Sequence, residues 1–185
     1  VLVNHALTGN SDVAGERGWW KDMVGEGKAV DLNQYSVLAF NIPGNGFDGY
    51  FVDFYEDFVA NDIAKIFLSG LEKLGITRLH SVIGGSLGGA IGWEMLAIQP
   101  DLAENLVPIA TDFQTSDWLH SQCLVQEFLL NQTENPIEKA RIHAMLCYRT
   151  PQSINKRFGK AIDENKGVLK SQDWLNYHGE ALNKR

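Results

Sequence analysis

Four short stretches of the chain, residues 1–4, 36–40, 79–83 and 105–109, are apolar almost throughout rather than alternating with polar residues. Alternation marks a strand with one wet face. Continuous apolarity marks a strand covered on both faces, as in a parallel sheet between helices. Between these runs the period changes. Ile63, Ile66, Phe67, Leu71 and Leu74 recur at helical spacing, and Gly75 stands where a helix end favours a left-handed residue. Residues 86–97 read as a second helix, stopped by Pro100. Strands alternating with helices predict right-handed crossovers and an α/β fold, with a mostly parallel sheet and helices on both faces.

The pattern shifts after Ile109. From about residue 117 to 182 there is no convincing strand, only helical stretches broken at Asn135-Pro136, Thr150-Pro151 and Lys166-Gly167. The expected organisation is an α/β core over residues 1–116 and a helical region over residues 117–185, inserted above the sheet rather than folded as a separate domain.

Composition narrows the function. The 185 residues, 44% of them hydrophobic, are enough for one well-filled core. A net charge of −7 argues against a nucleic-acid backbone or an anionic membrane as partner. Apolar runs of only a few residues are too short to span a bilayer. No basic and apolar leader opens the chain, so the expected location is the cytoplasm, and a start without Met predicts that the natural N-terminus lies upstream. Cys123 and Cys147 lack C-x-x-C spacing and read as buried, reduced thiols. The five histidines are scattered, with no H-E-x-x-H, so neither a metal site nor a resident cofactor is expected.

The chemistry concentrates in "SVIGGSLGGAIGWE", residues 81–94, where Ser86 stands between Gly84 and Gly88 with a strand before it and a helix after it. That context separates a nucleophile elbow from a chance G-x-S-x-G. Side chains two positions either side would strike the neighbouring strand and helix, so those positions must be small. The turn also aims the N–H of Leu87 at a developing oxyanion. A second donor is available in "NHALTGN", residues 4–10, from the N–H of Leu7 or alternatively of Ala6. His5 reads as a brace for this loop rather than a base. Gly44, Gly46 and Gly49 spell G-x-G-x-x-G, but no helix opens there and no second strand with a ribose-binding acid follows. That segment reads as a substrate-facing loop rather than a dinucleotide site.

Taken together, the chain resembles the homoserine O-acetyltransferase family of α/β-hydrolase-fold enzymes. "NHALTGNSDVAG" resembles the family's oxyanion loop, "GWWKDMVGEGKAVDLNQYSVLAFN" its next helix, loop and strand, and "GGSLGG" its nucleophile motif. "RIHAMLCYRT", "RFG" and "WLNYHGE" resemble parts of its helical lid. The loop "IPGNGFDGYFVDF" is shorter than the family's, and Leu87 replaces the commoner methionine.

The resemblance implies acetyl transfer from acetyl-CoA, a co-substrate, to the hydroxyl of L-homoserine through acyl-Ser86, and a homodimer with small-molecule partners. It places the triad's Asp and His beyond Arg185, so the chain is expected to be the middle of a longer enzyme. Arg141 and Tyr148, seven residues apart and so on one helix face, match family positions that contact the amino-acid acceptor. Spacing alone favours a surface arginine paired with Glu138 or a similar acid and a tyrosine packed into the lid; the resemblance reverses that preference. An esterase with the same elbow, a succinyl-CoA- or serine-using relative, and a non-catalytic binding module are the alternatives.

Overall fold

The computed structural model describes residues 1–54, 57–132 and 134–184. Its centre is β4 (Leu79–Gly85), which pairs in parallel with β1 (Leu2–Asn4) on one side and β5 (Ala103–Ile109) on the other. The register sets Asn4 beside Gly84 and Gly85 beside Ile109, so all three strands release their next loops at the same end of the sheet. In an open parallel sheet that carboxyl end is where ligands bind.

Helix α1 (Ala60–Lys73) and helix α2 (Leu87–Ile98) make the crossovers. Ile63, Ala64, Phe67 and Leu71 of α1 and Ile91 and Met95 of α2 form one cluster with Leu2, Leu79 and Val82 of the sheet. Helix α1 ends as its sequence predicts, with Gly75 at a φ of 70°. Successive strand side chains point to opposite faces. Val3 therefore faces away from Leu2, and it is fully buried without joining that cluster.

The structure departs from the sequence reading before α1. Residues 36–40 pair with β1 only at Leu38, through Val3 N–H to Leu38 O at 2.8 Å and Leu38 N–H to Val1 O at 2.9 Å. Beyond that bridge Phe40 packs on Phe67, ring centroids 5.1 Å apart. The segment resembling the family's next helix is a run of turns, closed by a short parallel pairing of β2 (Val24–Gly25) with β3 (Val30–Asp31).

The chain divides into two compact units, Val1–Gln114 and Thr115–Arg185. The second is built of α3 (Asp117–Gln132), α4 (Pro136–Cys147), α5 (Pro151–Phe158) and α6 (Lys170–Asn183). It also contains an unexpected hairpin of β6 (Ile162–Asp163) and β7 (Val168–Leu169). Its turn is held by the Asp163 carboxylate, which accepts from the N–H groups of Asn165 and Lys166, and by Gly167 at a φ of 66°. Both cysteines, expected to be buried, are exposed. Cys123 lies on α3, none of whose residues is buried, and the Cys147 thiol reaches across to Gln122 Oε1 at 3.2 Å.

Backbone crowds backbone just after β4. A Cβ on Gly88 would overlap the carbonyls of Asn4 and His5, whereas a Cβ on Gly85 would meet nothing within 4 Å. Gly88→Ala is therefore expected to destabilise the protein by about 1–3 kcal/mol, the usual effect of overpacking. Gly85→Ala should be neutral or slightly stabilising. Thermal melts of the two variants check this; equal losses would mean that the packing at Gly88 yields.

Candidate active site

Ser86 is the N-cap of α2, with φ 51° and ψ −120°. A non-glycine residue in this region is strained and persists only where its surroundings impose it. Here they do. Its N–H is tied to the Ile109 carbonyl on β5 at 2.8 Å, and its carbonyl accepts from the N–H groups of Gly89 and Ala90 at 2.9 and 3.1 Å. Between those anchors the chain must turn from strand to helix in one residue.

Gly84 and Gly88 make the turn possible, because a Cβ on Gly84 would overlap the Gly88 carbonyl. The crowding expected on either side of the serine is present at these two positions. At Gly89 the obstacle is the Thr111 side chain, and at Gly85 there is none. A serine at an N-cap ordinarily bonds an N–H of the first helical turn. Ser86 makes no such bond, and its exposed hydroxyl has no partner among the described residues. It is left available to an incoming group.

The backbone supplies the complement. Leu87 opens the helix, so its N–H has no acceptor within the helix, and the helix N-terminus favours negative charge. The second loop leaves β1 directly alongside, since the Asn4 and His5 carbonyls abut Gly88. Leu7 lies on this loop with 73% of its surface exposed, and its N–H makes no hydrogen bond among the described residues.

His5 holds the loop. It is fully buried, its Nδ1 donates to the Ala6 carbonyl at 2.7 Å, and its Nε2 accepts the Ile42 N–H at 3.0 Å. Both nitrogens are engaged, so it is a brace and not a base. Further ties run from the Ser11 N–H to Asn41 Oδ1 at 2.8 Å and from Trp19 Nε1–H to the Asn10 carbonyl at 2.8 Å. Asn4, just before the loop, is fully buried with its Oδ1 unpartnered, a feature the sequence reading passed over.

The G-x-G-x-x-G segment forms turns, with Gly44, Gly46 and Gly49 at φ of 78°, 74° and 78°, and α1 begins only at Ala60. The helix N-terminus that would hold a pyrophosphate is absent there. Among the described residues no three His, Cys, Asp or Glu side chains cluster as a metal site, and no helix is long and apolar enough to cross a membrane.

In the second unit, the Arg141 guanidinium carbon lies 5.6 Å from the centroid of the Tyr148 ring. Arg141 forms no ion pair with Glu138, and Tyr148 is 65% exposed rather than packed away. The structure thus brings these two together at the end of α4. It groups Ser86, Leu87 and Leu7 at the carboxyl end of the sheet.

An α/β-hydrolase fold family model matches residues 1–135. The chain belongs to that family. Within it, the chain is similar to the homoserine O-acetyltransferase of Chloroherpeton thalassium, 30% identical over 211 aligned residues that take in 100% of this chain and 55% of the relative. Its fold matches the crystal structure of the Staphylococcus aureus homoserine O-acetyltransferase at a TM-score of 0.80, with 23% identity, over 100% of this chain and 56% of the other. It matches an esterase at a TM-score of 0.81, with 19% identity, over 99% of this chain and 63% of the other. The chain spans about half the length of the curated relatives it matches. Fold alone does not separate transfer from hydrolysis, since solved structures of both kinds share it.

Burial holds the His5 pKa below the ordinary 6.5, against the opposing effect of the Ala6 carbonyl. Below pH about 6.5 the unfolded state therefore binds more protons than the folded one. The stability His5 contributes is complete above that pH and declines as the pH falls beneath it. His5→Gln should flatten the dependence of melting temperature on pH between about 6.5 and 5. An unchanged slope would show that His5 titrates normally in the folded protein.

Proposed function

We propose that the full-length protein is a homoserine O-acetyltransferase that works by double displacement. Ser86 attacks the thioester carbonyl of acetyl-CoA, the C–S bond breaks, and CoA leaves as the thiol after taking up a proton. The homoserine hydroxyl then attacks the acetyl ester of Ser86, gives up its proton, and returns the serine free. In both steps the N–H groups of Leu87 and Leu7 stabilise the oxyanion. A serine hydroxyl needs a base, and the family resemblance places the histidine and its aspartate outside this chain. The cytoplasm, the homodimer and the place in methionine biosynthesis belong to the same reading.

The observation that carries the proposal is the strained, uncapped Ser86 at the head of α2, beside a loop with an unspent N–H. The similarity to homoserine O-acetyltransferases supports an amino-acid alcohol as acceptor. The esterase reading differs only in the acceptor, water in place of homoserine. Arg141 discriminates, because an esterase of simple esters has no use for a carboxylate clamp. A guanidinium presents paired donors that match a carboxylate, and the Tyr148 ring beneath it limits where the fork can point.

Incubating the full-length protein with acetyl-CoA, with and without L-homoserine, tests the function by mass. O-acetylhomoserine is the expected product, and acetate alone would establish the esterase. Arg141→Ala should leave the first burst of CoA release near its normal rate. It should lower kcat/KM for homoserine about ten- to a hundred-fold, the loss of a charge-assisted pair of roughly 1.5–3 kcal/mol. Arg141→Lys should recover part of that. A homoserine dependence unchanged in Arg141→Ala would remove Arg141 from the acceptor site.

A further inference from the structure

Three of the six arginines in this acidic chain, Arg141, Arg149 and Arg157, converge in the helical unit. Each lies over an aromatic ring. Arg149 sits 5.5 Å from the Trp174 centroid, and Arg157 lies 5.3 Å from Trp174 and 5.2 Å from Phe158. Arg141 takes Tyr148. Phe158 packs on Trp174 at 5.6 Å, and the His178 ring meets Trp174 edge-on at 4.9 Å. The guanidinium groups thus lie over rings, and none of them makes a hydrogen bond or ion pair among the described residues.

Like charges gathered in this way repel unless an anion joins them. The chain does not provide one among the described residues, since no ion pair there includes any of the three arginines. The carboxylates on α6 are engaged elsewhere, Asp173 with Lys166 and Glu180 with Lys184. On α4, the Glu138 side chain packs against Gly179 without pairing with an arginine. His178 reports the resulting field. It is held below its ordinary pKa by burial first, and then by the charges of Arg141, Arg157 and Arg149.

We propose that Arg149 and Arg157, seated on Trp174 and Phe158 beside His178, form a binding site for a phosphate group on the helical unit. Planar forks with several N–H donors match phosphate oxygens, and two or three guanidiniums suit a dianion better than a carboxylate. The field at His178 eases when such an anion arrives. Two sources share this chemistry: the phosphates of a nucleotide-bearing acyl donor, and free phosphate. The proposal does not depend on Ser86 or on the reaction it carries out.

Calorimetric titration of the full-length Ser86→Ala protein, which turns nothing over, separates binding from catalysis. Inorganic phosphate and adenosine bisphosphate are each titrated, with adenosine as the uncharged control. Binding of the phosphate-bearing probes without adenosine supports the site; tighter binding of the bisphosphate assigns it to the donor, and equal binding assigns it to free phosphate. Adding Arg149→Gln and Arg157→Gln together should weaken binding by about ten-fold or more, and the double lysine replacement should restore part of it. The lysine variant also controls for lost folding, since it keeps both charges and stems. Absence of phosphate binding, or binding unchanged in the double glutamine variant, would overturn the proposal.

Discussion

Everything at the carboxyl end of the sheet depends on one contact between backbones. The first turn of α2 lies directly on the end of β1, so close that Gly88 has room for no side chain beside the Asn4 and His5 carbonyls. The helix can sit there only if the chain turns sharply out of β4, and Ser86 takes that turn at a positive φ. The ordinary role of an N-cap serine is lost as a result, and its hydroxyl remains uncommitted. Strain, exposure and the free Leu87 N–H are thus consequences of a single packing constraint.

The same contact places the second loop. Because β1 and β4 run parallel in matched register, the chain leaving Asn4 must emerge next to the chain leaving Gly84. His5 then fixes the loop from beneath through both ring nitrogens, and Trp19 and Asn41 hold it from the side. The N–H of Leu7 is left over where the bracing stops. Rigid support and an unspent donor are what an oxyanion site requires, because a donor already in place needs no reorganisation during reaction.

Much of this was legible in the sequence because it follows from strict local rules. Small residues at Gly84 and Gly88 between an apolar run and a helical period mark a tight strand-to-helix turn, and α1 is written in its spacing and in Gly75. The bracing role of His5 was legible from its place after the strand. Other features were not. Residues 36–40 have the apolarity of a full strand, yet they meet β1 at one bridge, at Leu38, which no local pattern encodes. Strands as short as β6 and β7 carry no alternation to read. The exposure of Cys123 reflects the missing cover on α3, a tertiary fact. The arginine cluster was half visible: Arg141, Arg149 and Arg157 recur at intervals of eight, but the meeting of Arg149 and Arg157 over Trp174 depends on how α6 packs.

The central claim is that this packing makes Ser86, and no other residue, the acceptor of an acyl group. Brief exposure of the full-length protein to acetyl-CoA without homoserine, followed by acid quench, digestion and peptide mass mapping, tests it directly. The account predicts an acetyl group on the peptide carrying Ser86, absent from the Ser86→Ala protein and discharged when homoserine is added before the quench. Acetylation at a different residue, or product formation by Ser86→Ala at the normal rate, would contradict it.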